Sequence, residues 1–249
     1  MSFQIQMLGT GSAFAKAYYN TNALILLTDF KILIDCGFTA ARSLHELDIT
    51  PDQLDGILIT HIHADHVGGL EEMAFRLHYS YHKRIKLFIS PLLVDKLWEN
   101  TLKGGLENIE ENLLGLSDFF DLVFLEERVP SVVHEGLTLE LIQTLHIPNK
   151  ISYSLFINNY IFYSADIQFS PDLLLHEVLN KRQCAYLLHD CQLKGKAMVH
   201  TSLEQLLTLP EEAQSKIYLM HYDDDMESYI GKTGSMTFIK QHEIYTFDE

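Results

Sequence analysis

Short apolar runs, each ended by a polar or glycine-containing turn, alternate along this chain with segments of helical periodicity. In the N-terminal half the runs predict strands at Phe3–Leu8, Ala23–Leu27, Lys31–Ile34, Gly56–Ile59 and Lys86–Ile89. Helical periodicity predicts helices over Ala40–Leu47, Leu70–Tyr81 and Pro91–Leu102, the last of them broken by Gly104-Gly105.

The C-terminal half continues the alternation. We expect strands of the second half of the fold at Leu122–Leu125, Leu137–Leu145, Ser152–Ile157, Tyr160–Ser164, Ala185–Leu188, Lys216–Met220 and Glu243–Phe247. Asn158-Asn159 predicts a tight hairpin turn between two of them. Helices are expected over Pro171–Leu179 and Leu203–Leu209. Helices and strands mixed in this way indicate an α/β fold.

The acidic, amphipathic stretch 103–121 matches no core strand. It fits a surface helix packed on its own domain. It also fits a cap or dimer element that helps to close a site.

The stretch from Ile57 to Leu70 has the densest chemistry. An apolar strand end passes into His61-Ile62-His63-Ala64-Asp65-His66, and Gly68-Gly69 then allows a sharp turn before a helix. Histidine and aspartate side chains two or three positions apart can converge on metal ions.

Three later strands end in the same type of residue, at His146, Asp166 and His221. Strand ends at one edge of a sheet lie close in space although they are far apart in sequence. The sequence therefore predicts a metal centre built from four strand ends.

Composition limits the remaining choices. The chain has 249 residues and a formal net charge of −16 without clustered Lys or Arg, which argues against a general nucleic-acid binder. Cys36, Cys184 and Cys191 suggest no disulfide framework. No signal peptide and no membrane-spanning run is visible, so we expect a cytoplasmic protein without a membrane partner.

The His-x-His-x-Asp-His motif at His61–His66 resembles the signature of the metallo-β-lactamase superfamily, and the resemblance covers essentially the whole chain. It implies a single αββα sandwich domain over residues 1–249, with 103–121 as a cap or dimer loop. Two zinc ions would lie at one edge of the sheets, and the ligand types also admit Mn(II) or Fe(II).

The same resemblance implies the ligand set. His61, His63 and His146 would hold one metal; Asp65, His66 and His221 would hold the other; Asp166 would bridge them. Asp35 resembles the aspartate that supports the metal-binding loop. Asp65 would also orient a hydroxide, made available by two cations that lower the pKa of a shared water.

Met198-Val199-His200-Thr201-Ser202 resembles the His-Ser-Thr element of ribonuclease Z-like phosphodiesterases, with the two hydroxyl residues exchanged. His200 would protonate the leaving alkoxide or hold the phosphate, and Asp190 could orient it. Ser12, in the Gly9-Thr10-Gly11-Ser12 turn, and His200, Thr201 and Ser202 are the candidate substrate contacts.

Gly9–Phe14, Asn20–Asn22, Gly68–Glu72 and Ala165-Asp166 together resemble the anti-Pycsar cyclic nucleotide phosphodiesterases. The resemblance implies hydrolysis of 3′,5′-cyclic nucleoside monophosphates (cCMP, cUMP, cAMP, cGMP) to 5′-monophosphates, a role against Pycsar defence signalling, and a homodimer.

Two other functions stay open at this point. A ribonuclease Z-like tRNA 3′ endonuclease needs a long arm between the residues that match His146 and Asp166, where this chain has 19 residues. A non-catalytic nucleotide-binding protein would keep the fold and never hydrolyse its ligand.

Overall fold

The computed structural model describes residues 3–248. Met1, Ser2 and Glu249 lie outside the described residues. Met1 and Ser2 belong to the N-terminal stretch in which no signal peptide was predicted. Over the described range, every helix falls short of the length and apolarity that a bilayer span requires.

Fourteen strands are described. Along the chain they are β1 Phe3–Gly9, β2 Asn22–Leu26, β3 Lys31–Ile34, β4 Gly56–Leu58, β5 Lys86–Ile89, β6 Asp121–Phe124, β7 Ser131–His134, β8 Leu137–Gln143, β9 Tyr153–Ile157, β10 Ile161–Tyr163, β11 Tyr186–Asp190, β12 Ile217–Met220, β13 Thr237–Phe238 and β14 Ile244–Phe247. The predicted strands are confirmed to within two residues at each end, and β7 and β13 were missed.

The strands form two seven-stranded mixed sheets. The first has the order β14-β1-β2-β3-β4-β5-β6, and the second β13-β12-β11-β10-β9-β8-β7. In the first sheet β3 to β6 run parallel, and in the second β10 to β13 do; the other pairs are antiparallel. Because β8 and β10 are both antiparallel to β9, they point the same way as the parallel strands.

The two sheets pack face to face, as alternation along β9 shows. Leu155 and Ile157 belong to the large core that joins the sheets, whereas Phe156, between them, belongs to a second core on the outer face. Leu174 and Leu206, from helical segments, pack into that second core. The molecule is therefore the expected αββα sandwich.

Eight α-helices are described, mostly short. They are α1 Ala40–Glu46, α2 Ala64–Val67, α3 Leu70–Phe75, α4 Pro91–Leu97, α5 Lys103–Leu106, α6 Leu116–Phe119, α7 Leu203–Leu206 and α8 Glu211–Gln214. Helical segments with π-type hydrogen bonds occupy Arg76–Tyr81, Trp98–Leu102 and Leu173–Lys181, and 3-10 turns occupy Pro51–Gln53 and Met226–Tyr229.

The predicted helix break at Gly104-Gly105 is wrong. Helical structure continues from Pro91 to Leu106, through both glycines. A Cβ atom at Gly105 would lie 2.0 Å from the Glu71 carboxylate. Glycine at this position allows α5 to approach α3 closely.

The segment 103–121 packs on its own domain. Leu106, Leu116 and Phe119 are buried in the large core, and a backbone bridge joins Asn108 to Leu113. A role of this segment as a cap or dimer element stays a prediction. A homodimer stays a prediction.

One strand was assigned to the wrong sheet. The strand predicted at Leu122–Leu125 is β6, which pairs with β5 at the edge of the first sheet, so it does not belong to the second half of the fold. The helices before it bring β6 back beside β5, and apolar periodicity alone carries no information about which sheet a strand joins.

Candidate metal centre

The motif loop follows β4 at the edge of the first sheet. His63 precedes α2, and Asp65 and His66 lie on the first turn of that short helix. The strand ends β8, β10 and β12 of the second sheet bring His146, Asp166 and His221 to the same edge. All seven predicted ligands thus come together.

Four of these side chains form what we call the first cluster, namely His61, His63, His146 and Asp166. Nδ1 of His63 lies 3.1 Å from Nε2 of His61 and 3.3 Å from Nε2 of His146. Oδ2 of Asp166 is 3.6 Å from Nε2 of His61 and from Nε2 of His146. The four ligand-type atoms lie within 4.8 Å of one another, so they could hold a metal ion.

The second cluster consists of Asp65, His66, Asp166 and His221. Oδ2 of Asp65 is 3.3 Å from Nε2 of His66 and 3.3 Å from Nε2 of His221. The Oδ1 atom of Asp166 lies 3.2 Å and 3.3 Å from the same two nitrogens. Asp166 therefore faces one cluster with each of its carboxylate oxygens.

Buried polar atoms in the second cluster are unsatisfied. His66 Nε2 and Asp166 Oδ1 are buried, and neither has a hydrogen-bond partner among residues 3–248. Unpaired buried polar atoms are costly in a folded protein. An imidazole nitrogen and a carboxylate oxygen that face each other in this way fit a divalent cation of the Zn²⁺ type.

Asp35 supports the second cluster from behind. Its Oδ1 accepts from the backbone N–H of Thr60 at 2.8 Å, and its Oδ2 lies 2.7 Å from both Thr60 Oγ1 and His66 Nδ1. Asp35 has a left-handed φ of 59°. At Gly37, two residues on, a Cβ atom would lie 2.0 Å from the carbonyl oxygen of Asp65. This close approach holds the turn that carries Asp35 against the motif loop. Asp35 therefore lies where it can support that loop, as predicted.

Neutral groups support the first cluster. Nδ1 of His61 lies 3.1 Å from Oγ1 of Thr60, and Nδ1 of His146 donates to the carbonyl of Val199 at 2.8 Å. These contacts leave the Nε2 atom of both rings facing the cluster.

The charges of the two clusters differ. Burial lowers the pKa of His61 well below its usual value, and burial together with His146 lowers the pKa of His63 to about 4. Burial also opposes protonation of His66 and His221, but the neighbouring carboxylates outweigh it and raise the pKa of both well above the usual range. The second cluster therefore attracts positive charge.

His200 lies beside both clusters. Its ring centroid is 4.9 Å from that of His146 and 4.8 Å from that of His221. Its Nδ1 lies 2.9 Å from Oδ2 of Asp190. Burial opposes protonation of His200, but the Asp190 carboxylate outweighs it and raises the pKa of His200. Asp190 thus stands where it can orient this ring.

The other predicted substrate contacts have partners within the protein. Thr201 is buried and donates to the carbonyl of Ile167 at 2.9 Å, and Ser202 caps α7 through Gln205. Ser12 donates to Asp223 at 3.1 Å and is half-buried. These contacts give Thr201 and Ser202 structural roles in positioning the segment that carries His200.

Sequence reasoning missed Thr60 and one of the two contacts of Asp190. Asp190 also reaches His221, with Oδ1 3.5 Å from Nδ1. Thr60 contacts His61 of the first cluster and Asp35, which lies behind the second. Its place immediately before the motif was a signal for this role.

Comparison with known proteins identifies the family of this chain. The family model described as "Anti-Pycsar protein Apyc1" matches residues 3–245. Among relatives with that name, one from Paenibacillus xerothermodurans is 57% identical, with 100% of this chain and 99% of the relative covered. One from Paenibacillus sp. (strain J14) is 52% identical, covering 99% and 100%. One from Bacillus phage BSP38 is 39% identical, covering 97% of each.

Two solved structures share the fold. The metallo-β-lactamase fold protein YhfI from Bacillus subtilis superposes with a TM-score of 0.76 at 14% identity, covering 99% of this chain and 100% of that one. A diphosphatase from the PhnP family superposes with a TM-score of 0.77 at 15% identity, covering 99% and 98%.

Proposed function

The chain belongs to the anti-Pycsar protein Apyc1 family, and from that premise we propose that it is a metal-dependent phosphodiesterase of 3′,5′-cyclic nucleoside monophosphates. The observation that carries the proposal is the position of Asp166, which offers one oxygen to each of two adjacent ligand clusters. The residues would hold two Zn²⁺ ions: His61, His63 and His146 one of them, Asp65, His66 and His221 the other, with Asp166 shared by both sets.

Two bound cations supply a nucleophile at neutral pH and take up negative charge on the phosphoryl oxygens. The side chains around them position the reactants. Asp65, a member of the second cluster, orients the attacking water. Burial opposes its ionisation, but His66 and His221 outweigh this and hold the pKa of Asp65 well below its usual range, so the carboxylate can accept a hydrogen bond.

His200 is assigned as the proton donor to the leaving oxygen. Its Nδ1 is held by Asp190, so its Nε2 is available to the substrate. Because the Asp190 carboxylate favours the protonated imidazole, His200 can give a proton to an alkoxide as the P–O bond breaks. In a 3′,5′-cyclic monophosphate the product of opening the 3′ bond is a 5′-monophosphate.

Size and charge favour a small substrate. Between His146 and Asp166 the chain forms β9 and β10, which leaves no arm long enough to hold tRNA. The net charge of −16 also opposes binding of a long polyanion. A role in removing a cyclic-nucleotide signal follows from this substrate and from the family name.

The first test is chromatography of a panel of cyclic CMP, UMP, AMP and GMP after incubation with zinc-loaded protein. We expect conversion to 5′-monophosphates, and none after treatment with a chelator. If a fully metallated protein leaves every cyclic nucleotide intact, the proposal is wrong, and precursor tRNA becomes the next substrate to assay.

His200→Ala tests the assigned proton donor. Removal of the imidazole should lower kcat for cyclic nucleotides by about a hundredfold to ten-thousandfold. The decrease in kcat should be much smaller for bis-p-nitrophenyl phosphate, because p-nitrophenolate needs little protonation to leave. His176→Ala, at an exposed position on the segment Leu173–Lys181, is the matched control. Equal losses on both substrates would show that His200 acts on the phosphate and not on the leaving oxygen.

A further inference from the structure

A pocket of about 280 Å³ opens beside the first cluster. His61, His63 and His146 form its inner end. The pocket is therefore continuous with the place where a phosphate would meet the first cluster. Its volume lies near the lower end of the range of about 300–1,000 Å³ for small-molecule sites, which suits a mononucleoside and excludes a folded nucleic acid.

One wall of the pocket is a face of the helix that begins at Pro91. Leu93, Lys96 and Asn100 are three and four positions apart and line the same pocket, as the helical repeat requires. Leu93 is fully buried and Lys96 and Asn100 are exposed. The wall is thus apolar at its base and polar at its rim.

The opposite wall is the loop between β8 and β9, which also carries His146. Asn149, Lys150 and Ile151 from this loop line the pocket. Asn149 adopts a left-handed φ of 65°, a conformation that asparagine tolerates better than most residues. Ile62, from the motif loop, adds a further apolar side chain.

Two lysines line the pocket, Lys96 on one wall and Lys150 on the other. Although the net charge is −16, no carboxylate of residues 3–248 lies within ion-pair distance of the Lys96 or Lys150 ammonium. Among the other lysines of residues 3–248, only Lys103, Lys181, Lys194 and Lys240 lie within ion-pair distance of an acidic side chain, so the place of Lys96 and Lys150 at the pocket distinguishes them and not their lack of an ion pair. Ammonium groups are hydrogen-bond donors without an acceptor function, so the pair offers donors to a ligand that brings acceptors.

We propose that this pocket holds the nucleoside part of the substrate, with Lys96 and Lys150 as base-binding residues that donate to the acceptor atoms of the base. The inference rests on the proposed function for the identity of the substrate. The base lies against Leu93, Ile62 and Ile151, while the phosphate stays at the clusters. Both purines and pyrimidines carry acceptors on their edges, so flexible lysines serve all four cyclic nucleotides through one pocket.

The test compares substrates with and without a base. Lys96→Met and Lys150→Met are assayed on cyclic UMP and on the 3,5-cyclic phosphate of 1,4-anhydroribitol, which lacks a base. Each variant should raise KM for cyclic UMP about tenfold, the loss expected for one hydrogen bond to a charged donor, and leave kcat within about twofold. Hydrolysis of the base-free substrate should not change.

Lys31→Met is the matched control because it removes the same charge at the start of β3. Asp35 and the two clusters lie beyond the other end of that strand. Asn100→Trp fills the pocket from an exposed position and should raise KM for cyclic UMP without affecting the base-free substrate. Equal losses on both substrates would overturn the proposal, since the lysines would then act on the phosphate. Unchanged KM in all three pocket variants would also overturn it.

Binding of uridine, measured by calorimetry, separates this inference from the proposed function. Uridine carries no phosphate and needs no turnover. If wild-type protein binds uridine and Lys96→Met and Lys150→Met weaken it about tenfold, the pocket assignment stands even where no cyclic nucleotide is hydrolysed. If neither variant weakens it, or wild-type protein binds no uridine, the assignment is wrong even where hydrolysis proceeds.

Discussion

The two ligand clusters share Asp166 but differ in what lies behind them. The second cluster is buried, and two further carboxylates support its histidines: Asp35 at His66 and Asp190 at His221. Behind the first cluster are a hydroxyl and a backbone carbonyl. His63 is half-buried, and the first cluster opens onto the pocket at Lys96 and Lys150.

The difference indicates a division of work. Outer carboxylates orient imidazoles and make them stronger ligands, so of the two clusters the second would retain a metal ion more firmly. The first cluster has neutral supports and an open side, and is the one that a substrate can reach. Two supports of the second cluster have left-handed backbone: Asp35 and His221 have φ values of 59° and 60°. Such conformations persist where surrounding contacts fix them.

The largest effect is expected from the residue that the two clusters share. In Asp166→Asn an amide offers one oxygen where the carboxylate offered two, so at most one cluster keeps a complete ligand set. Metal content should fall from two ions to one or none, and turnover should fall at least about a hundredfold. Elemental analysis and a kinetic assay measure the two quantities.

Asp172→Asn, a fully exposed position before the helical segment Leu173–Lys181, is the control and should change neither. Retention of both ions in Asp166→Asn would show that the clusters do not depend on a shared ligand.

A smaller and one-sided effect is expected from Asp35→Asn. Asparagine tolerates the left-handed backbone at this position, so the change removes the charge and keeps the turn. Affinity of the second cluster should fall about 10- to 100-fold, as is usual for an outer carboxylate. Affinity of the first cluster should change by less than about threefold, since Asp35 does not contact its histidines directly.

Titration with zinc against a chromophoric chelator separates the two affinities. Asp48→Asn is a close control, because Asp48 also has a left-handed φ, 55°, and is not among the residues of either cluster. Equal weakening of both clusters would mean that Asp35 supports the whole edge and not one ion.

Much of this arrangement was predictable from the sequence. Strand ends that finish in His or Asp indicated the seven ligand-type residues, since apolar runs place strands and a sandwich brings their ends to one edge. The Asn158-Asn159 turn was predictable as well, because both residues adopt positive φ, as a tight hairpin turn requires. These features depend on local patterns.

Other features depend on contacts between distant segments and could not be predicted. The helix runs through Gly104-Gly105, and the missing side chain at Gly105 leaves room for the Glu71 carboxylate. Asp190, which was predicted to orient His200, also reaches His221 through the register of adjacent strands. The asymmetry between the clusters and the unpaired lysines at the pocket also follow from packing, which no local pattern encodes.

The smallest effect is expected at Thr60, whose hydroxyl contacts both His61 of the first cluster and Asp35, the support of the second. Because Nε2 of His61 faces the cluster, Nδ1 carries the proton and donates to Thr60 Oγ1, which in turn donates to Asp35 Oδ2 at 2.7 Å. Thr60→Val keeps the shape and removes this connection, whereas Thr60→Ser preserves it. The valine variant should lower the zinc affinity of the first cluster about tenfold. This is the lower limit for the loss of an outer contact, because the hydroxyl of Thr60 is a neutral group. Weaker binding at the second cluster instead would show that the hydroxyl acts mainly through Asp35, and the two clusters would then share a support as well as a ligand.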